Sequence, residues 1–408
     1  MMRNNVIVLL VCLLIVIGFG SGCGRVTSTL NLDSNSESNK ALSAADSIII
    51  YKTSSSLGLS VSGTTQGSFH VETRAGDCAA YRNQPDIICE PNYTITLATA
   101  EYGSRAPFED INLYYNDALN GDLLQVASHV SSEDDIVIAV LDSGLNLDRY
   151  PELKKNLWQN KMEIPNNGID DDGNGYIDDI HGWNFTAQNA DIKGQNADHG
   201  TNVATVLMSV TAQHPNIKIM VLKIFDGSTG HMSHAINAMN YAINNGAKLS
   251  NHSYTSEKES EAFKTIAAHR PDHLIIAASG NEGKSIDSNP RYPASYELDN
   301  VISVGAIQKA IGLRAMYSNY GNTVDVFTIG ELVINNTPKW GTSYAAPVIS
   351  AMLALGQYNS DLSAMQIKEK LVQSADINTQ HDRVANISRF IKSTQKTSLC
   401  GLKLIVGR

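Results

Sequence analysis

Near-continuous apolar runs constrain this chain more than any other feature: Ile136–Leu141, Ile217–Leu222, His273–Ala278 and Val301–Val304. A strand with one wet face alternates polar and apolar side chains, whereas a run without alternation must be buried on both faces. Helical segments lie between these runs. Ile236, Met239 and Ile243 recur at helical spacing, and Gly246 stands where such a helix stops. Strands alternating with helices predict an α/β protein, a parallel β-sheet with helices on both faces. In such sheets functional groups gather at the carboxyl ends of the strands.

The residues at those ends carry chemistry. Asp142 directly follows the first run, in Leu141-Asp142-Ser143-Gly144. His199 sits in Asp198-His199-Gly200-Thr201, at the start of a helical run, and Gly200 permits close backbone approach beside the imidazole. Asn281 follows the third run in Ala278-Ser279-Gly280-Asn281-Glu282-Gly283, with an amide able to donate to an oxyanion. Ser343 lies in Gly341-Thr342-Ser343-Tyr344-Ala345-Ala346-Pro347, a tight turn feeding into a helix. Unpaired amides and the positive end of the helix dipole favour developing negative charge there. Taken singly, each residue has a plainer reading as a cap, a turn or a structural histidine. A hydroxyl needs a base and an orienting acid to become a nucleophile, and this chain supplies both.

In that order and context the stretches Asp142-Ser143-Gly144, His199-Gly200-Thr201, Gly280-Asn281-Glu282-Gly283 and Gly341–Pro347 resemble the subtilisin-like serine peptidases. The resemblance is close from about 136 to 351 and looser over 106–395. It implies a serine endopeptidase in which Ser343 attacks a peptide carbonyl, His199 carries the proton and Asp142 orients the imidazole. Asn281 and the Ser343 amide would stabilise the oxyanion. Ser253, Tyr254 and Thr255, with Ser279 and Gly280, would bind polypeptide substrates by strand addition. The chain departs from the family at Asn202, Thr205 and Thr255, where His, Gly and Gly are usual. Arg291 falls near the floor of the primary specificity pocket, where it would favour an acidic or polar residue; pairing with Glu282 or pointing to solvent is the alternative. The rival to the enzyme is a catalytically inactive peptide-binding envelope lipoprotein on the same fold.

The remaining features concern address and stability. Arg3 and the apolar run Val6–Ile17 fit an export signal, and the small residues before Cys23 resemble a bacterial lipoprotein signal. The expected organisation is a signal peptide over 1–22, a tether over 23–45 with lipid on Cys23, and an accessory region or prosegment over 46–105. The peptidase domain then covers 106–395, and a tail follows over 396–408. An ordinary signal-peptidase site near Gly22 is the alternative to lipidation. Among five cysteines, Cys78 and Cys89 bracket a short polar stretch that suits a disulfide in an oxidising compartment, leaving Cys400 over. A formal charge of −10 argues against nucleic acid as a partner and leaves the membrane, through the lipid anchor. Finally, Asp170, Asp172, Asn174, the Tyr176 carbonyl and Asp178 or Asp179 place oxygens at alternate positions around glycines. That pattern suits a structural Ca2+ outside the catalytic chemistry.

Overall fold

The computed structural model describes residues 47–53, 69–76, 78–81, 83–84, 86–98, 135–193, 198–211, 214–334, 337–357 and 362–394. The expected leader, Cys23, the tether, Cys400 and the tail over 396–408 lie outside the described residues.

The N-terminal part forms a three-stranded antiparallel sheet from β1 (Ser47–Thr53), β2 (Phe69–Ala75) and β3 (Ile87–Pro91), in the order β2-β1-β3. A disulfide joins Cys78 to Cys89, tying the turn after β2 to β3. The strand expected near Tyr93–Leu97 is present as β4 (Thr94–Leu97), but it leaves this sheet for another.

The larger part follows the expected alternation. Its elements begin β5 (Ile136–Asp142), β6 (Gly182–Asn184), α1 (Asp198–Thr211), β7 (Ile217–Lys223), β8 (Phe225–Asp226) and β9 (Thr229–His231). There follow α2 (Met232–Asn244), β10 (Leu249–His252), β11 (Tyr254–Thr255), α3 (Glu261–Ala268), β12 (Leu274–Ala278) and β13 (Val301–Ile307). The rest is β14 (Val326–Ile329), a hairpin of β15 (Glu331–Ile334) and β16 (Thr337–Trp340), α4 (Thr342–Gln357) and α5 (Ala364–Ser374). Short β17 (Asp376–Ile377), β18 (Arg383–Val384) and α6 (Ile387–Thr394) complete it.

Nine strands make one sheet, in the order β17-β18-β14-β13-β12-β10-β5-β7-β6, parallel except for the β17–β18 edge. The apolar runs are its centre. Along β5, Ile136, Ile138 and Val140 enter one core with α1 and α4, while Val137, Ala139 and Leu141 enter a second with α2 and α3. Alternate residues thus bury against opposite helical layers, which is why the run shows no polar period. At about 1.5–3 kcal/mol for each fully buried aliphatic side chain, this double burial dominates the stability of the scaffold.

The N-terminal sheet packs β2 on α2 and β3 on α3. Two polar side chains fix the seam at helix starts, where backbone amides lack partners. Asn92 accepts from the Ser233 amide and donates to its hydroxyl, both at 3.0 Å. The buried Glu90 carboxylate accepts from the Glu261 amide at 2.8 Å and from the Ser260 hydroxyl. Among the described residues, no helix is long and apolar enough to cross a membrane.

Candidate active site

The strand order brings the chemistry together. β5, β10 and β12 are neighbours, so Asp142 at the end of β5 and Ser279-Gly280-Asn281 after β12 flank the residues that follow β10. Asp142 and His199 are both buried, and the His199 Nδ1 lies 2.8 and 3.0 Å from the two carboxylate oxygens. The Ser143 amide holds the same carboxylate at 2.7 Å. Because a carboxylate only accepts, Nδ1 carries hydrogen and Nε2 of the neutral ring is left as the acceptor. That Nε2 is buried and has no hydrogen-bond partner among the described residues. Gly200 permits this approach: a Cβ there would lie 2.5 Å from the Gly144 carbonyl and 3.1 Å from Asp142 Oδ1.

Ser343 sits in the first turn of α4, fully buried. Its hydroxyl does not bond His199 but contacts the carbonyl oxygen of Ala98, the residue after β4. Asn281 Nδ2 donates to that same oxygen, and its Oδ1 accepts the Thr342 amide at 2.8 Å, which fixes the orientation of the amide group. The His199 and Tyr344 rings, 5.7 Å apart, join the two halves of the site. Gly341 adopts φ 147°, and a Cβ there would meet the Ala98 oxygen at 2.8 Å and Ser343 Oγ at 3.0 Å. Any side chain at 341 would fill the space around that oxygen.

Residues 94–98 run alongside β11 as an added strand. β4 pairs antiparallel with β11, Leu97 opposite Tyr254 and Thr96 opposite Thr255, and on its other edge with β9. The Ala98 amide donates to the Ser253 carbonyl at 3.1 Å. Thr255, in place of the usual glycine, is compatible with this pairing and is itself buried. Ile95 is fully buried in the core that also holds Tyr254 and Phe225, whereas Thr94 and Thr96 point to solvent. In the adjoining turn the Ser279 carbonyl accepts from Asn319, and the Gly280 amide donates to Thr342 Oγ1.

Ser253 is bonded on two sides. Its carbonyl takes the peptide amide, and its hydroxyl donates to the Ser343 carbonyl at 2.8 Å. That carbonyl is available because Pro347, four residues on, has no N–H to close the helical bond. Pro347 stands in the motif that marked Ser343, so this signal was readable. Nothing in the sequence singles out Ala98. Arg291 is buried and pairs with Glu282 at 3.4 Å and Glu257 at 3.3 Å, while its guanidinium also donates to the Pro290 carbonyl at 3.1 Å. The Glu282 pairing is the alternative raised from the sequence.

The acidic loop divides its expected ligands. Asp172 and Asp179 converge with Glu163, their carboxylate oxygens within 4.8 Å of one another. Asp170 instead caps the amides of Asn174 and Gly175 at 3.1 and 2.8 Å. Asn174 turns its NH2 toward Asp172 and Asp179, at 3.1 and 3.0 Å, and its oxygen to the Tyr176 amide. The Tyr176 ring packs edge-on against Trp183 and Tyr241. Glu163 lies seven residues before the acidic run, and only folding brings it in. Three carboxylates, two of them buried, fit the oxygen-donor set of a hard cation.

An Asp–His pair and a serine–asparagine pair that shares one backbone carbonyl thus stand at the carboxyl edge of a parallel sheet, in the chain order expected from the sequence. The chain belongs to the subtilase family, whose sequence model matches residues 133–394. It is similar to Subtilisin-like protease 2 of Plasmodium falciparum, 28% identical over 242 residues, which cover 54% of this chain and 17% of that protein. It is also similar to Subtilisin E of Bacillus subtilis, 30% identical over 197 residues, covering 44% of this chain and 51% of the relative. The match to the Cell wall-associated protease of Bacillus subtilis is 30% identical over 261 residues, 59% of this chain and 26% of that protein. The chain therefore spans about half or less of the length of these relatives. In fold it is similar to a lanthipeptide protease, with a TM-score of 0.51 at 20% identity, covering 69% of this chain and 97% of the other.

Proposed function

We propose that this protein is a serine endopeptidase acting through Ser343, His199 and Asp142, and that its first substrate is its own chain. One observation carries the reading: the Ser343 hydroxyl and the Asn281 amide converge on the Ala98 carbonyl oxygen of a strand held by β11. In the reaction Ser343 Oγ bonds to the carbonyl carbon as its proton passes to His199 Nε2. Asp142 holds the tautomer and stabilises the imidazolium. Asn281 stabilises the oxyanion, as does the Ser343 amide. His199 then protonates the leaving amine, and water resolves the acyl-enzyme by the same route in reverse.

On this reading residues 46–98 are a prosegment and the bond after Ala98 is the processing site. Lipid on Cys23 would hold the precursor at the membrane of an exporting cell, and processing would release the peptidase. The filled cleft favours substrates with a small residue before the scissile bond, as Ala98, and an aliphatic one three residues earlier, as Ile95. Arg291, neutralised by two carboxylates, walls the primary pocket rather than recruiting an acidic residue. Glu163, Asp172 and Asp179 would hold Ca2+, which would neutralise their charge and brace the loop without entering the chemistry.

N-terminal sequencing of purified wild type and Ser343→Ala tests the reading. Wild type is expected to begin at Thr99 and to react with a fluorophosphonate probe. Ser343→Ala should keep its N-terminal segment and stay unlabelled, with an unchanged circular dichroism spectrum. Processing at the same bond in Ser343→Ala would assign the cut to another enzyme. Absence of labelling in wild type would favour the inactive peptide-binding alternative.

A further inference from the structure

The strand segment that grips the peptide is short, and its position is set by side chains behind it. β11 has only two residues, so no long ladder fixes its backbone. Side chains alternate along β10 and β11. Asn251 and Ser253 face α4, where Ser350 donates to Asn251 Oδ1 at 3.0 Å and Asn251 donates to Ser253 Oγ at 2.9 Å. Ser250, His252 and Tyr254 face the opposite layer, against Phe263 of α3, together with His273 from the turn before β12. All four are buried.

Their hydrogen bonds have one consistent direction. The Ala247 carbonyl only accepts, so His273 Nδ1–H donates to it at 3.0 Å. His273 Nε2 then accepts from the Ser250 hydroxyl at 2.8 Å. Ser250 Oγ in turn accepts from His252 Nε2–H at 2.7 Å, and His252 Nδ1 accepts the Tyr254 O–H at 2.8 Å. With both rings neutral every donor and acceptor is met. Each ring tautomer is set by the next member, so the phenol of Tyr254 is tied by four bonds to the backbone ahead of β10. Burial keeps that phenol protonated and donating.

We infer that His252, with Ser250 and His273 behind it, is a positioning residue for substrate: it holds Tyr254 so that β11 presents its backbone in register to the peptide. The inference rests on the peptidase reading above, in which Leu97 opposite Tyr254 marks the substrate path. The catalytic groups lie on the other face of this segment, so the relay acts on binding and leaves the chemical step alone.

The test is steady-state hydrolysis of Ile-Thr-Leu-Ala carrying a fluorogenic amide, by the protein expressed as the full chain and left to process itself, and by its His252→Asn, His252→Gln and Tyr254→Phe variants. Asn keeps an acceptor where Nδ1 stood and retains the Tyr254 bond; Gln reaches the Nε2 position and retains only the Ser250 bond. KM should rise about 5-fold in His252→Gln and Tyr254→Phe, the size expected for one lost neutral hydrogen bond, with kcat within about 2-fold. His252→Asn should recover most of that loss. Equal rises in His252→Asn and His252→Gln, or a fall in kcat at constant KM, would overturn the inference. Should the His252 variants fail to fold, an unchanged KM in Tyr254→Phe overturns it equally. Failure of wild type to hydrolyse the peptide or to label with a fluorophosphonate would instead remove the peptidase reading, and this inference with it.

Discussion

Two clusters of polar residues stand out in this chain, and the fold treats them in opposite ways. In the acidic loop the carboxylates are met from within: Glu163 accepts the amides of Asp171, Asp172 and Asp178, and Asp179 accepts from Asn160, Asn174 and Tyr241. At the carboxyl edge of the large sheet, His199 Nε2 is buried with no partner among the described residues, and Ser343 and Asn281 turn to a single carbonyl. A buried polar group without a partner costs stability, on the order of 1–3 kcal/mol. The loop therefore reads as a structural brace and the sheet edge as a place where stability is given up for chemistry.

The sharpest way to break that contrast is Asn281→Ala. Its amide is held by the Thr342 N–H and aimed at the Ala98 carbonyl, so on the proposed reading it would stabilise the oxyanion more than the bound peptide. Removing it is expected to lower kcat by about 10²–10³, roughly 3 kcal/mol, with little change in KM; that is the size known for this amide in subtilisins. Steady-state kinetics on a peptide amide measures it. A rise in KM at constant kcat would make Asn281 a binding residue and would blur the distinction between the two clusters.

How much of this was legible in the sequence follows the same division. The apolar runs of β5, β7, β12 and β13 announced a doubly covered sheet because burial on both faces leaves no polar period. β10 showed no such run and was legible only through the family resemblance of its sequence, since Ser250, Asn251 and His252 are polar yet wholly buried. Their polarity is met partly by one another, by Ser253 and by Tyr254, and partly by Ser350 of α4 and by His273 from the turn before β12. Asp142, His199, Asn281 and Ser343 were legible because each stands at the end of an element, in a glycine-rich context that permits close approach. Ala98 was not, because its role comes from the carbonyl oxygen that every residue carries and from where β4 is laid. Glu163 was hidden likewise, its neighbours in space being a loop away in sequence.

The second prediction sharpens the loop side. If Glu163, Asp172 and Asp179 hold calcium, saturating Ca2+ at about 100 times Kd adds roughly 2.7 kcal/mol to the folded state, or about 5–10 °C in Tm for a domain of this size. Thermal melts in Ca2+ and in chelator should differ by that amount for wild type and not at all for Asp179→Asn. Activity well below the melting range should be the same in both buffers. Equal melting temperatures for wild type would leave the carboxylates braced by their amides alone.

A further effect lies outside both clusters, in the histidines of the core. Burial pushes His252 down to about 3, with His273 nearby adding to the effect, and burial pushes His273 down to about 4. His234 is also lowered to about 4, by burial and by His231 beside it. Their ordinary value is 6.5. Below that pH the unfolded chain takes up protons that the folded chain refuses, so stability is full above about 6.5 and falls as the pH drops toward 4. The slope is about 1.4 kcal/mol per pH unit for each such group. Glu90 works the other way: burial raises it, so in the folded state it takes up a proton more readily than in the unfolded chain and offsets part of the loss at the acid end. Melts of wild type between pH 7 and pH 5 should therefore lose several degrees, and His252→Asn should show a shallower slope. Since His252 stays neutral in the folded state over this range, the relay that holds β11 stays intact there until the protein unfolds. A Tm that stays flat down to pH 5 would mean these rings are charged in the folded state, and a charged His252 could not accept the Tyr254 phenol.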